Sequence, residues 1–409
     1  MNTTRMPWRI VSILSATATA GYMCRVNVST AGPLLMKEFS LSEVEMGRVF
    51  SAFILGYALF QVPAGALADK WGTRKVLMLA AWLWVIVTVL QATVGLGFFQ
   101  ASIISALTAF MIYRFMLGIA ASPTYPASGK GVASWVEPPL QGRANGVVLA
   151  SIGLGAALTP PLVSNVMVNW GWRIALVISA VPALIVALLW RRIHVPKTSP
   201  TKAIQKDFAF DTSSDSAKLR SKNFILLSIS YTLEGYIAYI FVTWFYIYLV
   251  RERHFELLSG AWMSSLAWIL TIISIPLGGI IADRLGSKSS IRKWSHRVVP
   301  MIGLSSSAAL ISIGAHTQSA IVAAISLSFA TALILCVEAP FWTTMMKIVG
   351  KNSGTGGGIM NMGTNAAGAI SPVLTPLIAS YVGWESALHI AAIIAVVAAV
   401  LWLGIKVDG

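Results

Sequence analysis

Long apolar stretches recur along almost the whole of this 409-residue chain, and they constrain its fold more than any other feature. Apolar residues make up 56% of the chain and charged residues 11%, whereas soluble proteins carry about 25% charged residues. About 20 apolar residues cross a bilayer as a helix, so the chain has room for about a dozen spans. This composition excludes an ordinary soluble enzyme and a disordered chain, and it predicts an all-α membrane protein.

The apolar stretches predict twelve transmembrane helices, at 10–35, 46–68, 76–97, 104–133, 144–168, 174–190, 223–249, 260–282, 298–315, 319–346, 355–380 and 385–405. An even number of spans brings both termini to the same side of the membrane. The largest loop, 191–222, is polar, contains no apolar run and separates two sets of six spans. The predicted domains are therefore a six-helix bundle at 1–190, a cytoplasmic linker loop at 191–222 and a second six-helix bundle at 223–409.

Lysine and arginine are distributed unevenly between the two sides of this predicted topology. With the N-terminus inside, the inner loops and tails hold 23 basic residues and the outer side holds five. Cytoplasmic loops of membrane proteins carry such an excess, so both termini are predicted to be cytoplasmic. The same distribution explains the net charge of +15 without a nucleic-acid partner.

A short motif after the second span recurs after the eighth span, at an offset of 214 residues. Its glycine, aspartate, glycine and basic positions are Gly65, Asp69, Gly72 and Arg74 in the first half, and Gly279, Asp283, Gly286 and Lys288 in the second. At an offset of 212, Gly171 and Trp172 match Gly383 and Trp384. Two halves with the same order and orientation of helices form a parallel repeat, as in two-bundle transporters.

No motif indicates ATP binding, a metal site or a cofactor. Cys24 and Cys336 lie far apart in apolar stretches, so neither a disulfide framework nor a CxxC site is implied. The glycine-rich run 354–358 lacks the GK[ST] that completes a phosphate-binding loop. No Ser/His/Asp, metal or paired-carboxylate constellation is visible, so we predict no enzymatic activity.

Arg25 and Arg114 are the two arginines that lie deep inside predicted spans. A charge near the middle of the bilayer is costly, so each arginine should face the bundle interior and have a function. Neither span contains an acid, and the planar guanidinium fork binds carboxylates, so we expect a small organic anion as the substrate. The alternative is that both arginines are structural and cap carbonyl groups or pair with acids elsewhere.

Polar side chains at helical spacing extend this predicted site. Tyr22 shares a helix face with Arg25, and Tyr125 follows Arg114 on its face, so their hydroxyls are candidates for binding the anion. Core packing or an interfacial belt explains each tyrosine alone at least as well. Asn361 and Asn365, four residues apart in the eleventh span, suit hydroxyl recognition or a gate, with interhelical hydrogen bonding as the alternative.

Several motifs together resemble a known family. Arg114-Phe-Met-Leu-Gly118 leads to Ser-Pro-Thr-Tyr125-Pro126, while Arg25-x-Asn27 and Ser51-Ala-Phe-x-x-Gly-Tyr57 occur in the first two spans. With the repeated GxLADxxGxRK loop, the chain resembles the major facilitator superfamily and, within it, the anion:cation symporter family. That family includes bacterial sugar-acid transporters, sialin and the vesicular glutamate transporters. The resemblance covers nearly the whole chain and implies the major facilitator fold in a bacterial-type inner membrane.

The resemblance also implies roles for individual residues. It implies that Arg25 and Arg114 hold substrate carboxylates and that Tyr57 lies near the substrate. Proton-coupled members carry an acid just before the first arginine and another seven residues after the second, where this chain has Cys24 and Ala121. This departure argues against proton coupling by the family's route.

The repeated loop motif carries a conformational role in the same family. The resemblance implies that its charged residues latch one state of the transport cycle, with loop solubility as the alternative; these residues are Asp69, Arg74, Asp283 and Lys288.

Two acids remain within spans, Glu234 in the seventh and Glu338 in the tenth. Each is a candidate for a relocated proton carrier. The alternative is a structural glutamate that pairs with Arg25 or Arg114 across the cavity when no substrate is bound. For Glu338 the structural interpretation is favoured by its neighbours Pro340 and Trp342.

The sequence therefore predicts a secondary transporter of small organic anions, such as sugar acids, that works by alternating access. Proton coupling through a non-standard carboxylate would allow uptake, whereas its loss favours an exporter or exchanger of an anionic metabolite. A transporter-like nutrient sensor is a third interpretation, against which the 191–222 loop argues because it has no domain-like apolar content. The expected partners are the organic anion, protons where coupling is retained, and the bilayer, with the protein as a monomer.

Overall fold

The computed structural model describes residues 7–96, 105–193, 217–287 and 294–406, with the backbone alone at 286, 287, 295 and 296. Within these ranges every regular element is helical and no strand occurs, which confirms the predicted all-α class. The helices are α1 (Trp8–Glu38), α2 (Glu43–Trp71), α3 (Thr73–Ala92), α4 (Ala106–Ala121), α5 (Thr124–Trp135), α6 (Pro138–Ser179), α7 (Val181–Arg192), α8 (Lys222–Arg251), α9 (Leu257–Ser287), α10 (Ser295–His316), α11 (Ala320–Cys336), α12 (Glu338–Val349) and α13 (Ser353–Leu401).

Helix breaks occur at equivalent places in the two halves of the chain. α4 passes into α5 at Pro123, and α11 passes into α12 at Val337, which is 214 residues later. Gly171 within α6 and Gly383 within α13 have φ values of 80° and 82° and non-helical ψ. Glycine adopts positive φ at little cost, so each of these long helices turns at that position. The breaks therefore follow the two repeat offsets seen in the sequence.

Eight helical stretches in the described part of the chain are long and apolar enough to cross a membrane. Two of them exceed a single crossing, because Pro138–Arg192 has 55 residues and Ala320–Gly404 has 85. Gly171 divides the first into two segments, and Gly350 and Gly383 divide the second into three. With α1 added, the described helices form twelve segments close to the predicted positions, so the predicted twelve-helix fold is confirmed.

The chain divides into two compact units, of which one is Met1–Lys206 with Leu257–Ser265 and the other is Asp207–Glu256 with Leu266–Gly409. The predicted linker, 191–222, lies mostly outside the described residues, since only its two ends are described. The boundaries proposed at 190 and 223 therefore stay a prediction.

In the first unit, α2 and α4 approach each other through glycine. A Cβ on Gly118 would overlap the carbonyl oxygen of Phe53 and lie 2.8 Å from the backbone nitrogen of Tyr57. A Cβ on Gly56 would overlap the carbonyl oxygen of Phe115 in the same way. Small residues allow membrane helices to pack backbone against backbone. This contact fixes α4 against α2 and brings Arg114 to the level of Phe53.

In each unit, one fully buried tryptophan joins two helices through its indole N–H. In the first unit Trp190 donates from Nε1 to Oγ1 of Thr17 at 3.0 Å, which joins α7 to α1. In the second unit Trp244 donates from Nε1 to the carbonyl oxygen of Pro372 at 3.0 Å, which joins α8 to α13. A buried indole N–H is costly when it has no acceptor, so these bonds select one packing of each core.

Candidate functional site

Arg114 is a buried cation that does not use all of its hydrogen-bond donors within the described protein. Its side chain lies on α4 and is 3% exposed, and Nη2 donates to the backbone carbonyl of Arg25 at 3.0 Å. The other two nitrogens, Nε and Nη1, are buried and have no hydrogen-bond partner among the described residues. A guanidinium carries five N–H donors in a planar fork. Most of the fork is therefore available to an acceptor that is not part of the described protein.

Arg25 lies against three aromatic rings of the same unit. Its guanidinium carbon is 5.1 Å from the ring centroid of Tyr22, 5.1 Å from that of Phe53 and 5.9 Å from that of Tyr57. The guanidinium of Arg114 lies 4.8 Å from the centroid of the same Phe53 ring. Cation–π contacts hold a guanidinium in place without neutralising its charge. The two cations interact repulsively, and an anion bound by both would relieve that repulsion.

Phe53 connects the two arginines, although sequence reasoning assigned it no role. Its side chain is 2% exposed, and its ring stacks on that of Tyr57 with centroids 6.4 Å apart and an interplanar angle of 11°. Its spacing in the sequence could have indicated a place in the site, since Phe53 precedes Tyr57 by about one helical turn and therefore lies on the same helix face. The same spacing is equally typical of a core residue, so the pattern alone did not identify it.

The structure brings two of the three predicted tyrosines to the arginines. Tyr22 and Tyr57 lie near the guanidinium of Arg25, and the hydroxyl of Tyr57 accepts from Nε2 of Gln61 at 3.3 Å. Tyr125 lies at the start of α5, beyond the break that ends α4, and its side chain is 37% exposed. Its part in binding stays a prediction.

Cys24 and Ala121 stand where the resemblance places acids. Cys24 is 1% exposed, and its Sγ lies 3.9 Å from the carbonyl oxygen of Ser179 at the end of α6. Asn27 donates from Nδ2 to Oγ of the same serine at 2.9 Å. These contacts join α1 to α6. Cys24 therefore serves helix packing, and Ala121 ends α4 without a titratable group.

In the second unit, the predicted asparagines form one chain of hydrogen bonds. Asn365 donates from Nδ2 to Oδ1 of Asn361 at 3.3 Å, and the Tyr239 hydroxyl donates to Oδ1 of Asn365 at 3.5 Å. These hydrogen bonds connect α13 to α8. They favour the interpretation in which Asn365 stabilises the packing of the two helices. Asn361 is half-buried, and its role in recognition or gating stays a prediction.

The two intramembrane acids lie together in the second unit. Glu338, the first residue of α12, accepts from the Tyr231 hydroxyl at 3.2 and 3.1 Å and from Nε1 of Trp342 at 3.1 Å. Glu234 on α8 is 1% exposed, and its Oε1 is buried without a hydrogen-bond partner among the described residues. Glu338 is near enough to act on Glu234 electrostatically. The sequence located both acids but gave no sign that they are neighbours.

The predicted gating residue Asp69 forms an ion pair near the end of α2. Nζ of Lys130 lies 2.8 Å from Oδ1 of Asp69 and donates to the carbonyl oxygen of Ala68 at 3.0 Å. Lys130 therefore joins α5 to the last turn of α2. Its position in the site was not anticipated from the sequence.

Arg74 caps the end of α7. It donates from Nε to the carbonyl oxygen of Trp190 at 3.0 Å and from Nη2 to that of Arg191 at 2.9 Å. The last carbonyl groups of a helix have no partner within the helix, so this arginine supplies donors that the helix lacks. Asp283 is exposed near the end of α9, and Lys288 lies outside the described residues. The gating role of all four residues stays a prediction.

The C-terminal end of α1 carries an ion pair that was not predicted from the sequence. Glu38 accepts from Nε1 of Trp172 at 2.6 Å and lies 2.7 Å from Nη2 of Arg173. Burial raises the pKa of Glu38, but the hydrogen bonds from Arg173 and Trp172 outweigh burial, and the pKa lies below its ordinary value. The pair is therefore charged at neutral pH and ties α1 to the turn at Gly171.

Within the described residues, no group of three or more His, Cys, Asp or Glu side chains could hold a metal ion. The expectation that the protein uses no cofactor stays a prediction.

Comparison with known proteins places the chain among membrane transporters. The family model described as Major Facilitator Superfamily matches residues 13–372. A bacterial homologue of the human lysosomal transporter Spinster, solved in an inward-facing and unoccupied conformation, superposes with a TM-score of 0.81. The alignment covers 98% of this chain and 97% of that chain at 16% identity, so it supports the fold alone.

Bacterial relatives match most of the chain at 27–29% identity. The "probable sulfoacetate transporter" of Cupriavidus necator is 29% identical over 379 residues, covering 89% of this chain and 85% of the relative. The hexuronate transporter of Bacillus subtilis is 27% identical, covering 91% and 88%. The "probable galactarate/D-glucarate transporter" of the same organism is 28% identical, covering 93% and 86%.

Proposed function

Because this chain belongs to the Major Facilitator Superfamily and is a multi-pass membrane protein, we propose that it moves small organic anions across the membrane by alternating access. Its relatives are named for sulfoacetate, hexuronate and galactarate or D-glucarate, which all carry anionic groups. Small carboxylates, and sugar acids in particular, are therefore the proposed substrates. The 23 to five distribution of basic residues supports a bacterial inner membrane location with both termini cytoplasmic. The protein is proposed to act as a monomer.

One observation carries this proposal: Arg114 is buried beside Arg25 and leaves Nε and Nη1 without a partner among the described residues. Nη2 shares one edge of the guanidinium with Nε and another with Nη1, and it uses only one of its two N–H groups on the Arg25 carbonyl, so one edge keeps two free donors. That edge matches the two oxygens of a carboxylate and forms two charge-assisted hydrogen bonds with it. The rings of Tyr22 and Tyr57 lie against the guanidinium of Arg25, and their hydroxyls suit the hydroxyl groups of a sugar acid.

Charge neutralisation explains how binding promotes transport. Two cations held close together in a low-dielectric interior oppose any rearrangement that removes the remaining water from them. A bound anion cancels part of that charge. The loaded carrier therefore changes conformation more readily than the empty one, as alternating access requires.

The proposal predicts that anion uptake weakens when Arg114 loses its guanidinium group. Purified protein is reconstituted in proteoliposomes, and uptake of radiolabelled glucuronate, D-glucarate and sulfoacetate is measured. Arg114→Gln is expected to weaken uptake at low substrate concentration by at least about 30-fold, since losing one partner of a buried charged pair costs about 2–5 kcal/mol. Arg114→Lys keeps the charge but loses the fork, so it should restore only part of the activity.

Arg48→Gln is the matched control, because Arg48 is an exposed arginine of the same unit. It should transport like the wild type. If Arg114→Gln also transports the panel at the wild-type rate, the arginine is structural and the proposed anion site is wrong.

An exporter or exchanger of an anionic metabolite is the second candidate. It is favoured by Cys24 and Ala121, which offer no carboxylate where proton-coupled members of the family carry one. An inside-negative potential drives a monoanion out of the cell, so uptake against it requires a co-ion. In the exchange mode, trapped counter-substrate alone drives uptake and a pH gradient has no effect.

A further inference from the structure

The buried acids Glu234 and Glu338 form a pair that no described base of the second unit neutralises through an ion pair. Tyr231, which precedes Glu234 by about one turn of α8, contacts both carboxylate oxygens of Glu338 at 3.2 and 3.1 Å, so two potential negative charges lie in one low-dielectric environment. Two carboxylates that share such a site cannot both ionise readily. The pair therefore requires a positive partner or a bound proton.

Among the described residues, no basic side chain on the helices around the pair forms an ion pair with it. α8 packs against α11, α12 and α13. Besides Glu338, the charged or titratable side chains on those three helices are Cys336, Lys347, Tyr381, Glu385 and His389. α8 also packs against the short helix Lys218–Arg220, whose two basic side chains are exposed, and α12 packs against α10. On α10, Arg297 is 9% exposed and its guanidinium carbon lies 4.7 Å from the ring centroid of Trp294, but it forms no ion pair with either acid. Lys347 is exposed, and Oε1 of Glu385 is engaged by the His316 ring at 2.9 Å. Within the described part of the second unit, no lysine, arginine or histidine forms an ion pair with either acid.

The two carboxylates differ in the number of hydrogen bonds that they receive from the protein. Glu338 receives donors from Tyr231 and Trp342, which stabilise a carboxylate. Glu234 is 1% exposed, and its Oε1 receives no donor from the described residues. A buried ionised carboxylate without a donor is costly. The proton therefore belongs on Glu234, and the negative charge belongs on Glu338.

The same donors argue against a metal cation at the pair. Sodium and other hard cations bind several oxygen atoms that act as acceptors. The indole N–H of Trp342 can only donate, and it is directed at Glu338. A cation at that oxygen would displace or repel this donor. A proton, which needs a single carboxylate oxygen, is the ligand that fits.

We infer that Glu234 and Glu338 bind one proton between them and that this proton is the co-ion of anion transport. The inference rests on the proposed function. The proton forms an O–H bond at a carboxylate oxygen on the outer side and is released to water on the inner side, with no redox change. Glu338 is half-buried and so provides the route by which the proton reaches Glu234. Tyr231 and Trp342 are positioning residues that keep Glu338 ionised.

Two assays on the same proteoliposomes separate this inference from the proposed function. Counterflow measures exchange of labelled glucuronate, D-glucarate or sulfoacetate against the same trapped anion and needs no co-ion. Accumulation measures uptake driven by an inward proton gradient. Glu234→Gln mimics the protonated acid, so it should retain counterflow and lose accumulation by more than tenfold.

Glu338→Gln provides an independent variant, because it removes the negative charge that favours the proton on Glu234. The pH at which accumulation is half-maximal should move to a lower value, and counterflow should remain. Glu385→Gln is the matched control, since Glu385 is an exposed acid of the same unit, and both assays should match the wild type.

The outcomes are distinguishable. Absence of wild-type counterflow with every anion of the panel would overturn the proposed function. Counterflow with unchanged accumulation in Glu234→Gln would overturn the inference alone. Accumulation that requires sodium, tested by replacing sodium with choline, would also overturn it. A merely structural role would lower counterflow and accumulation together in Glu234→Gln, which contradicts the inference as well.

Discussion

At the residue scale, Phe53 holds together two cations that repel each other. Replacing it with leucine removes the ring that both guanidiniums contact, at 5.1 and 4.8 Å. A desolvated cation–π contact contributes about 2 kcal/mol, and about 1.4 kcal/mol corresponds to a tenfold change in binding. We therefore expect Phe53→Leu to raise the KM for anion uptake about 30-fold and to change the maximal rate much less, as measured by initial rates in proteoliposomes.

Phe110→Leu is the matched control for this prediction. Phe110 is 1% exposed on α4 and packs edge-on against Phe39, with ring centroids 5.6 Å apart, and against Trp172. The control loses a buried ring of the same size, so its loss of stability should be similar while its KM stays at the wild-type value. An equal rise of KM in both variants would show that Phe53 acts through general packing.

The charged half of the site could be predicted from the sequence, but its apolar half could not. Arg25 and Arg114 stand out because a charge inside a span is costly. Phe53 is one apolar residue among many, and only the approach of α2 to α4 reveals what it contacts. Tyr125 shows a second limit, because the helix break at Pro123 interrupts the periodicity that placed it on the face of Arg114.

At the scale of elements, the packing of α2 on α4 depends on glycine at two positions, Gly56 and Gly118. Gly118→Ala would place a Cβ against the backbone of Phe53 and Tyr57, which cannot move aside as a side chain could. Such overpacking costs about 1–3 kcal/mol. We expect a lower unfolding temperature together with weaker anion binding. A thiol-reactive dye measures the first, because Cys24 is buried in the folded protein.

Gly146→Ala controls for the general effect of adding a methyl group to a helix. Nothing lies within 4 Å of a Cβ at Gly146, and alanine has the higher helix propensity. Its unfolding temperature should be unchanged or higher. A Gly118→Ala protein as stable as the wild type would mean that α2 and α4 separate without cost.

Hydropathy predicts where helices cross a membrane better than where they end. The predicted third span, 76–97, runs past the last residue of α3, Ala92. Gly95, with a φ of 80°, shows that the chain has already turned although the sequence there remains apolar. The breaks at Gly171 and Gly383 have the same cause. Positive φ at a glycine ends a helix without any change in hydropathy, so an apolar window does not detect it.

At the scale of the whole molecule, charge balance decides the direction of transport. Moving one elementary charge through 100 mV is worth about 2.3 kcal/mol, which corresponds to about a 50-fold change in the accumulation ratio. An inside-negative potential therefore opposes uptake of an uncompensated anion. The first unit carries the two arginines and the second unit carries the acid pair, so in the proposed mechanism the anion and its co-ion bind to different halves of the repeat.

This division predicts a specific voltage dependence. A hexuronate carries one negative charge, so it crosses with one proton as a neutral complex, and a 100 mV inside-negative potential set with potassium and valinomycin should not change its accumulation. D-glucarate carries two charges and crosses as a net monoanion, so the same potential should lower its accumulation about 50-fold. In Glu234→Gln the hexuronate should become sensitive to the potential as well. If the wild type already shows that sensitivity with a hexuronate, no proton crosses with the anion, and the protein works as an exchanger or exporter.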